Sequence, residues 1–139
     1  MDRVPVLKIG DMLLVSIQVD LSDRLASQLQ EDLADRIVAT GAHGVIIDIT
    51  GLDIVDSFVG RMLATIATMS RVLDAETVVV GMRPAVAITL VELGLYLDAV
   101  RTALTMERAF AIIAERSAGA AQVTSVDRDQ PADGADTGS

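Results

Sequence analysis

The sequence has no cysteine and no tryptophan, a single tyrosine, two phenylalanines, one histidine (His43) and one lysine (Lys8). Without cysteine there are no disulfides, no thiolate metal ligands and no cysteine nucleophile. The phosphate-binding patterns GxxxxGK[ST] and GxGxxG are also missing, so a nucleotide site built on those loops is disfavoured. No apolar run reaches the ~18–20 residues needed to cross a bilayer. The longest charge-free stretch ahead of the tail, from Ile37 to Ile47, is broken by glycines. The opening MDRVPVLK lacks the basic start and apolar stretch of a signal peptide. These absences predict a soluble cytoplasmic protein without membrane insertion. The net charge of −9 removes the basic footprint of a nucleic-acid binder.

What remains is aliphatic. Hydrophobic residues make up 51% of the 139 positions but aromatics only 2%, so the core must be built from Leu, Ile, Val, Ala and Met. Aliphatic strands covered by aliphatic helices suit an α/β layer structure, and the length suits one domain.

Val6 to Ile17, VLKIGDMLLVSI, contains two apolar runs around Gly10-Asp11, which predicts a hairpin. From Leu21 to Thr40, Leu25, Leu29, Leu33 and Ile37 recur every four residues, the pattern of an amphipathic helix with Ser22 or Asp23 as its N-cap and Gly41 at its end. Val45–Ile49 and Thr77–Met82 are β-branched runs almost without polar alternation, as in central parallel strands. Between them, a loop from Thr50 to Asp56 leads to a helix opened by Ser57, with Phe58, Met62, Ile66, Met69 and Leu73 as its stripe. Pro84 and Gly94 bracket a third helix. Val100–Leu104 suggests an edge strand, and Thr105 caps a last helix ending near Arg116. The predicted domain covers residues 1–116, with a mainly parallel or mixed sheet of four to five strands under about four helices. Residues 117–139 are small, polar and acidic, with charges summing to −3, and are expected to form a disordered tail.

In open α/β sheets, sites gather at the carboxyl ends of the strands, which here means the loop 50–56 and the helix start after it. Asp48, Asp53 and Asp56 cluster there and could hold Mg²⁺ or act in receiver-like phosphoryl transfer. That chemistry needs a cation to offset phosphoryl charge, and the lone lysine is in the first hairpin, so loop-ordering roles for these aspartates are the better reading. His43, in the turn GAHG, falls at the opposite end of the sheet, away from any relay with Ser57. Ser57 itself occupies an N-cap-like position. A helix N-terminus stabilises a phosphate, so a phosphoserine there is tolerated by the fold while changing the surface by about −2.

The run GVIIDITGLDIVDSF, Gly44 to Phe58, resembles the signature region of STAS domains. VVVGMRPAVAITLVELGL, Val78 to Leu95, resembles that family's next strand and helix, and VPVLKIGDMLLVSIQVDLSD its first hairpin. Together they cover roughly residues 4 to 116. Within the family the chain is most similar to the RsbS type. It begins at the first strand, it has serine at position 57 rather than threonine, and it carries the polar stretch Gln18–Asp20 and VELG at Val91–Gly94. The resemblance implies a non-enzymatic anti-sigma-factor antagonist, a scaffold of the stressosome without cofactor or metal. It would self-associate with RsbR-like STAS paralogues and hold an RsbT-like serine kinase through Asp53, Asp56, Ser57 and Phe58. Phosphorylation of Ser57 would release the kinase and a PP2C-type phosphatase would reset it. The alternatives are a free-standing antagonist bound directly to an anti-sigma kinase, and the Mg²⁺-dependent reading of Asp48, Asp53 and Asp56.

Overall fold

Gly10 has φ 59° while Asp11 keeps a negative φ. With only its first residue at positive φ, the two-residue loop has the pattern of a type II′ hairpin turn, whose twist matches the strands it joins. Strands β1 (Val6–Ile9) and β2 (Met12–Ser16) pair antiparallel across it, from Ile9 opposite Met12 to Val6 opposite Val15. The computed structural model describes residues 4–18, 21–52, 56–92, 94 and 100–115. The tail 117–139 and the helix end near Arg116 lie outside the described residues.

Helix α1 (Asp23–Thr40) starts at Ser22, whose hydroxyl accepts from the Leu25 N–H at 3.1 Å, and ends at Gly41, whose N–H donates to the Ile37 carbonyl. Leu29, Leu33 and Ile37 are buried as their spacing predicts, and Leu25 is half-buried. Then follow β3 (Gly44–Asp48), α2 (Ser57–Val72), β4 (Glu76–Val80), α3 (Pro84–Glu92), β5 (Val100–Ala103) and α4 (106–115). Both central strands begin and end earlier than their apolar runs suggest, because ladder bonding, not hydrophobicity, sets strand limits. The sheet order is β1-β2-β3-β4-β5, parallel except for the first pair. Among the described residues the fold is thus a single α/β domain with a five-stranded mixed sheet and four helices.

The two faces of the sheet are covered unequally. On one, Leu13, Val15, Val45, Ile47 and Val79 meet α1, α2 and α3. On the other, Ile46, Val78 and Val80 meet α4 through Ala109, Ile112 and Ile113. The buried stripe of α2 runs through Met62, Leu63, Ile66, Ala67 and Ser70. Phe58, Met69 and Leu73 flank it, half-buried.

Two hydroxyls are inside this core. Ser70 and Thr77 are 0% and 1% exposed, and neither Ser70 Oγ nor Thr77 Oγ1 has a hydrogen-bond partner among the described residues. An unsatisfied buried polar group costs ~1–3 kcal/mol. Thr77→Val keeps the branched shape that a strand favours and removes the stranded hydroxyl. It is expected to stabilise the fold by about 1 kcal/mol, raising the melting temperature by a few degrees. Calorimetry checks this; a lower melting temperature would mean that the hydroxyl has a partner in solution.

Candidate functional site

The carboxyl end of β3 is pinned from both neighbouring strands. The Ile17 N–H donates to the Asp48 carbonyl and the Ile49 N–H to the Val80 carbonyl, each at 2.9 Å. Asp48 is half-buried, and its Oδ1 accepts from the Thr50 N–H at 2.9 Å, turning the chain out of the strand. Gly81, just beyond β4, has φ 85°. A Cβ on it would stand 2.9 Å from both the Cα and the N of Thr50, a separation that non-bonded carbon does not tolerate. Only a residue without a side chain admits the Thr50 backbone so close. Arg83 closes the arrangement, its Nη2 donating to the Thr50 carbonyl at 3.4 Å while its own carbonyl receives the Ala87 N–H at the start of α3. From the other side, Gly51 lies against Gln18.

Helix α2 begins beside this loop. Asp56 is its N-cap, with extended backbone (φ −93°, ψ −177°) and Oδ1 accepting from the Val59 N–H at 3.0 Å. The first intrahelical bond runs from the Gly60 N–H to the Asp56 carbonyl at 3.0 Å. The cap-like position expected for Ser57 therefore belongs to Asp56, and Ser57 is the first helical residue. Both side chains can cap, but a carboxylate makes the stronger, charge-assisted bond and complements the helix dipole.

Ser57 is half-buried. As first residue of α2 it precedes the intrahelical ladder, so the N–H groups of Ser57 and Phe58 point out of the helix end without an intrahelical acceptor. Phe58 is half-buried against the larger core. Asp56, Ser57 and Phe58 thus form one continuous helix start. Asp53, expected beside them, lies outside the described residues. His43 is exposed at the other end of β3, its N–H on the Asp11 carbonyl and its carbonyl on the Glu76 N–H. Of the three clustered aspartates, Asp48 turns the loop and Asp56 caps the helix. Among the described residues no group of three acidic or imidazole side chains is placed to hold a metal ion.

Sequence reasoning missed Gly81 and Arg83. The available signal was VVVGMRP: a glycine directly after a buried strand, then arginine and proline opening a helix at the site's end of the sheet.

The STAS domain family model matches residues 3–109, a span that takes in this strand, its loop and the Asp-Ser helix start. The chain belongs to the STAS domain family. A serine-to-glutamate variant of RsbS from Moorella thermoacetica superposes with a TM-score of 0.73 at 37% identity, covering 82% of this chain and 97% of that one. A chain from a structure of the stressosome, described as a signal integration and transduction hub, gives 0.72 at 37% identity, covering 81% and 98%. The RsbT co-antagonist protein RsbRD of Bacillus subtilis (strain 168) is 35% identical over 65 residues, 47% of this chain but only 23% of that protein. This STAS domain therefore has the anti-sigma-factor-antagonist fold with close similarity to RsbS. Among its described residues no helix is long and apolar enough to cross a membrane.

The cap in this STAS domain is directly testable. Asp56→Ala should lose about 1 kcal/mol of stability, and Asp56→Asn much less, because either an amide or a carboxylate oxygen can accept from Val59. Chemical denaturation of both variants checks this. Equal losses would show that the charge, not the acceptor, does the capping.

Proposed function

We propose that this protein is an RsbS-type antagonist and scaffold that catalyses nothing itself. It would hold an RsbT-like serine kinase at the start of α2, assemble with RsbR-like STAS paralogues, and release the kinase when Ser57 is phosphorylated. A PP2C-type phosphatase would return it to the holding state. The observation that carries this reading is the position of Ser57 as first residue of α2, immediately after the capping Asp56. The two N–H groups of that helix end can receive phosphate oxygens, so phosphorylation leaves the helix intact. The added charge, next to Asp56, changes only the surface that a partner meets. The fastening of Asp48–Gly51 by Ile17, Val80 and Arg83 supports the same reading, since it fixes the carboxyl end of β3 from which the loop to Ser57 departs.

The test uses purified unphosphorylated protein, an RsbT-like kinase and ATP. The expected result is a stable complex without ATP, and with ATP a single phosphate that peptide mapping places on Ser57. Phosphate on another residue, or no complex, would overturn the assignment. Capture of an anti-sigma kinase instead of an RsbT-like one would support the free-standing antagonist.

A further inference from the structure

In a chain with 20 aspartates and glutamates, the 16 residues of α2 include none, but they do include Arg61 and Arg71. Gly60, Met62, Leu63, Ile66, Ala67 and Ser70 form the buried face of this helix. Along the opposite face Ser57, Arg61, Thr65, Thr68 and Val72 follow one another; Ser57 is half-buried and the others are exposed. A helix sets positions 57, 58, 64 and 65 beside residue 61. They hold Ser, Phe, Ala and Thr, so the Arg61 guanidinium has no carboxylate neighbour along its own helix. It forms no hydrogen bond or ion pair with another described residue. Asp56 stands outside that set of four positions, and its Oδ1 is engaged by the Val59 N–H.

We infer that Arg61 is the residue that receives the phosphoryl group of Ser57: its guanidinium folds back by one turn and pairs with the phosphate. This rests on the Ser57 switch of the reading above and adds a cation to it. Side chains on a helix lean toward its N-terminus, so Arg61 reaches back over position 57 rather than away from it. The Cβ atoms of residues four apart are only ~5–6 Å from each other, well within the span of an arginine. The order also fits, since an acid four residues ahead of a base is the more favourable arrangement. The planar fork of the guanidinium matches two phosphate oxygens at once. The pair is local to α2 and owes nothing to the loop ahead of it. Phosphate brings about −2 and the arginine returns +1, so the helix start still turns negative when Ser57 is modified. Phosphorylation thereby both adds charge to this surface and withdraws its exposed cation.

The test installs phosphoserine at position 57 of the full chain during synthesis, without the kinase, and follows the phosphorus resonance against pH at low salt. The second ionisation of phosphoserine ordinarily lies at about pH 6. A cation beside the phosphate favours the dianion and lowers that midpoint. Wild type should titrate about 0.2–0.4 pH units below Arg61→Gln, the worth of one exposed helical pair, and the gap should close in about 1 M salt. Arg71→Gln, which neutralises the arginine in the last turn of the same helix, should titrate as wild type does. The other described charges on this face at this end of the sheet are Asp23 and Arg24 at the start of α1, Asp48 after β3, Asp56, and Arg83 before α3. They are common to all three proteins, so the difference reads Arg61 alone. Equal midpoints for wild type and Arg61→Gln, or an equal rise in Arg71→Gln, would overturn the pair. Melting temperatures separate pairing from a structural role. Unphosphorylated Arg61→Gln should melt with wild type and should lag behind it only when both carry the phosphate. A deficit of the same size in both forms would make Arg61 structural and refute the proposal. A kinase that leaves Ser57 unmodified refutes the reading above through its own assay, while the titration still decides the pair.

Discussion

Ser57→Asp is expected to fold at least as stably as wild type and yet to bind the RsbT-like kinase a hundredfold or more weakly. The stability half follows from the helix start. Position 57 is the first residue of α2, where a carboxylate interacts favourably with the helix dipole. The binding half follows from desolvation. A charge buried at an interface without a partner costs several kcal/mol, and each ~1.4 kcal/mol is a factor of ten in affinity. Stability and affinity thus move in opposite directions, which a general folding defect cannot produce. Ser57→Ala is the control. Because Asp56 and not Ser57 caps the helix, removing the hydroxyl should leave stability almost unchanged and kinase binding intact. Calorimetry beside a kinase titration reads both quantities. Aspartate carries less charge than phosphate, so enzymatically phosphorylated protein is the decisive sample. Undiminished kinase binding by the phosphoserine form would sink the switch.

Gly81→Ala is expected to cost on the order of 2–5 kcal/mol and to loosen the Thr50 loop. Left-handed backbone in a residue with a Cβ costs ~1–2 kcal/mol, and Gly81 is at φ 85°. The rest is steric. The new methyl would stand 2.9 Å from Thr50 Cα and N, and forced overpacking typically costs another ~1–3 kcal/mol. Backbone cannot rotate away as a side-chain tip can, so either β4 or the loop must shift. Urea denaturation measures the loss, and kinase binding under folding conditions measures the loop. A Gly81→Ala protein within 1 kcal/mol of wild type would show that the Thr50 approach relaxes freely. Gly51→Ala is the graded comparison, since its Cβ would meet Gln18 Cα at 3.3 Å, a smaller intrusion.

Much of this architecture is readable from local pattern. The four-residue spacing of Leu29, Leu33 and Ile37 and the runs VIID and TVVV each carry their own signal, because burial on one stripe or on two faces imposes its periodicity directly. The place of the candidate site in the fold, at the carboxyl end of β3, was readable from the strand and helix pattern together with the rule for open α/β sheets. Its internal geometry was not. Asp56 and Ser57 are adjacent and both suited to cap a helix, so only coordinates decide between them. Thr50 is more than thirty residues from Gly81 and Arg83, and nothing in a local window states that their backbones meet. Likewise the apolar run VLKI predicts one arm of a hairpin, and the exposure of Leu7 and Ile9 emerges only from the strand order, which puts β1 at an edge of the sheet.

The strand order has a consequence for how the protein is born. Because spatial order equals chain order, each strand leaving the ribosome finds its pairing partner already made, and the sheet can grow outward one strand at a time. The serine-bearing helix start is synthesised midway, before β4. The bonds that fasten its loop, from Ile49 to Val80 and from Arg83 to Thr50, exist only after β4 and the residues behind it have emerged. In a nascent chain halted after α2 the Ile49 N–H and the Thr50 carbonyl therefore still lack these partners, and the carboxyl end of β3 acquires its fastening only in the second half of translation.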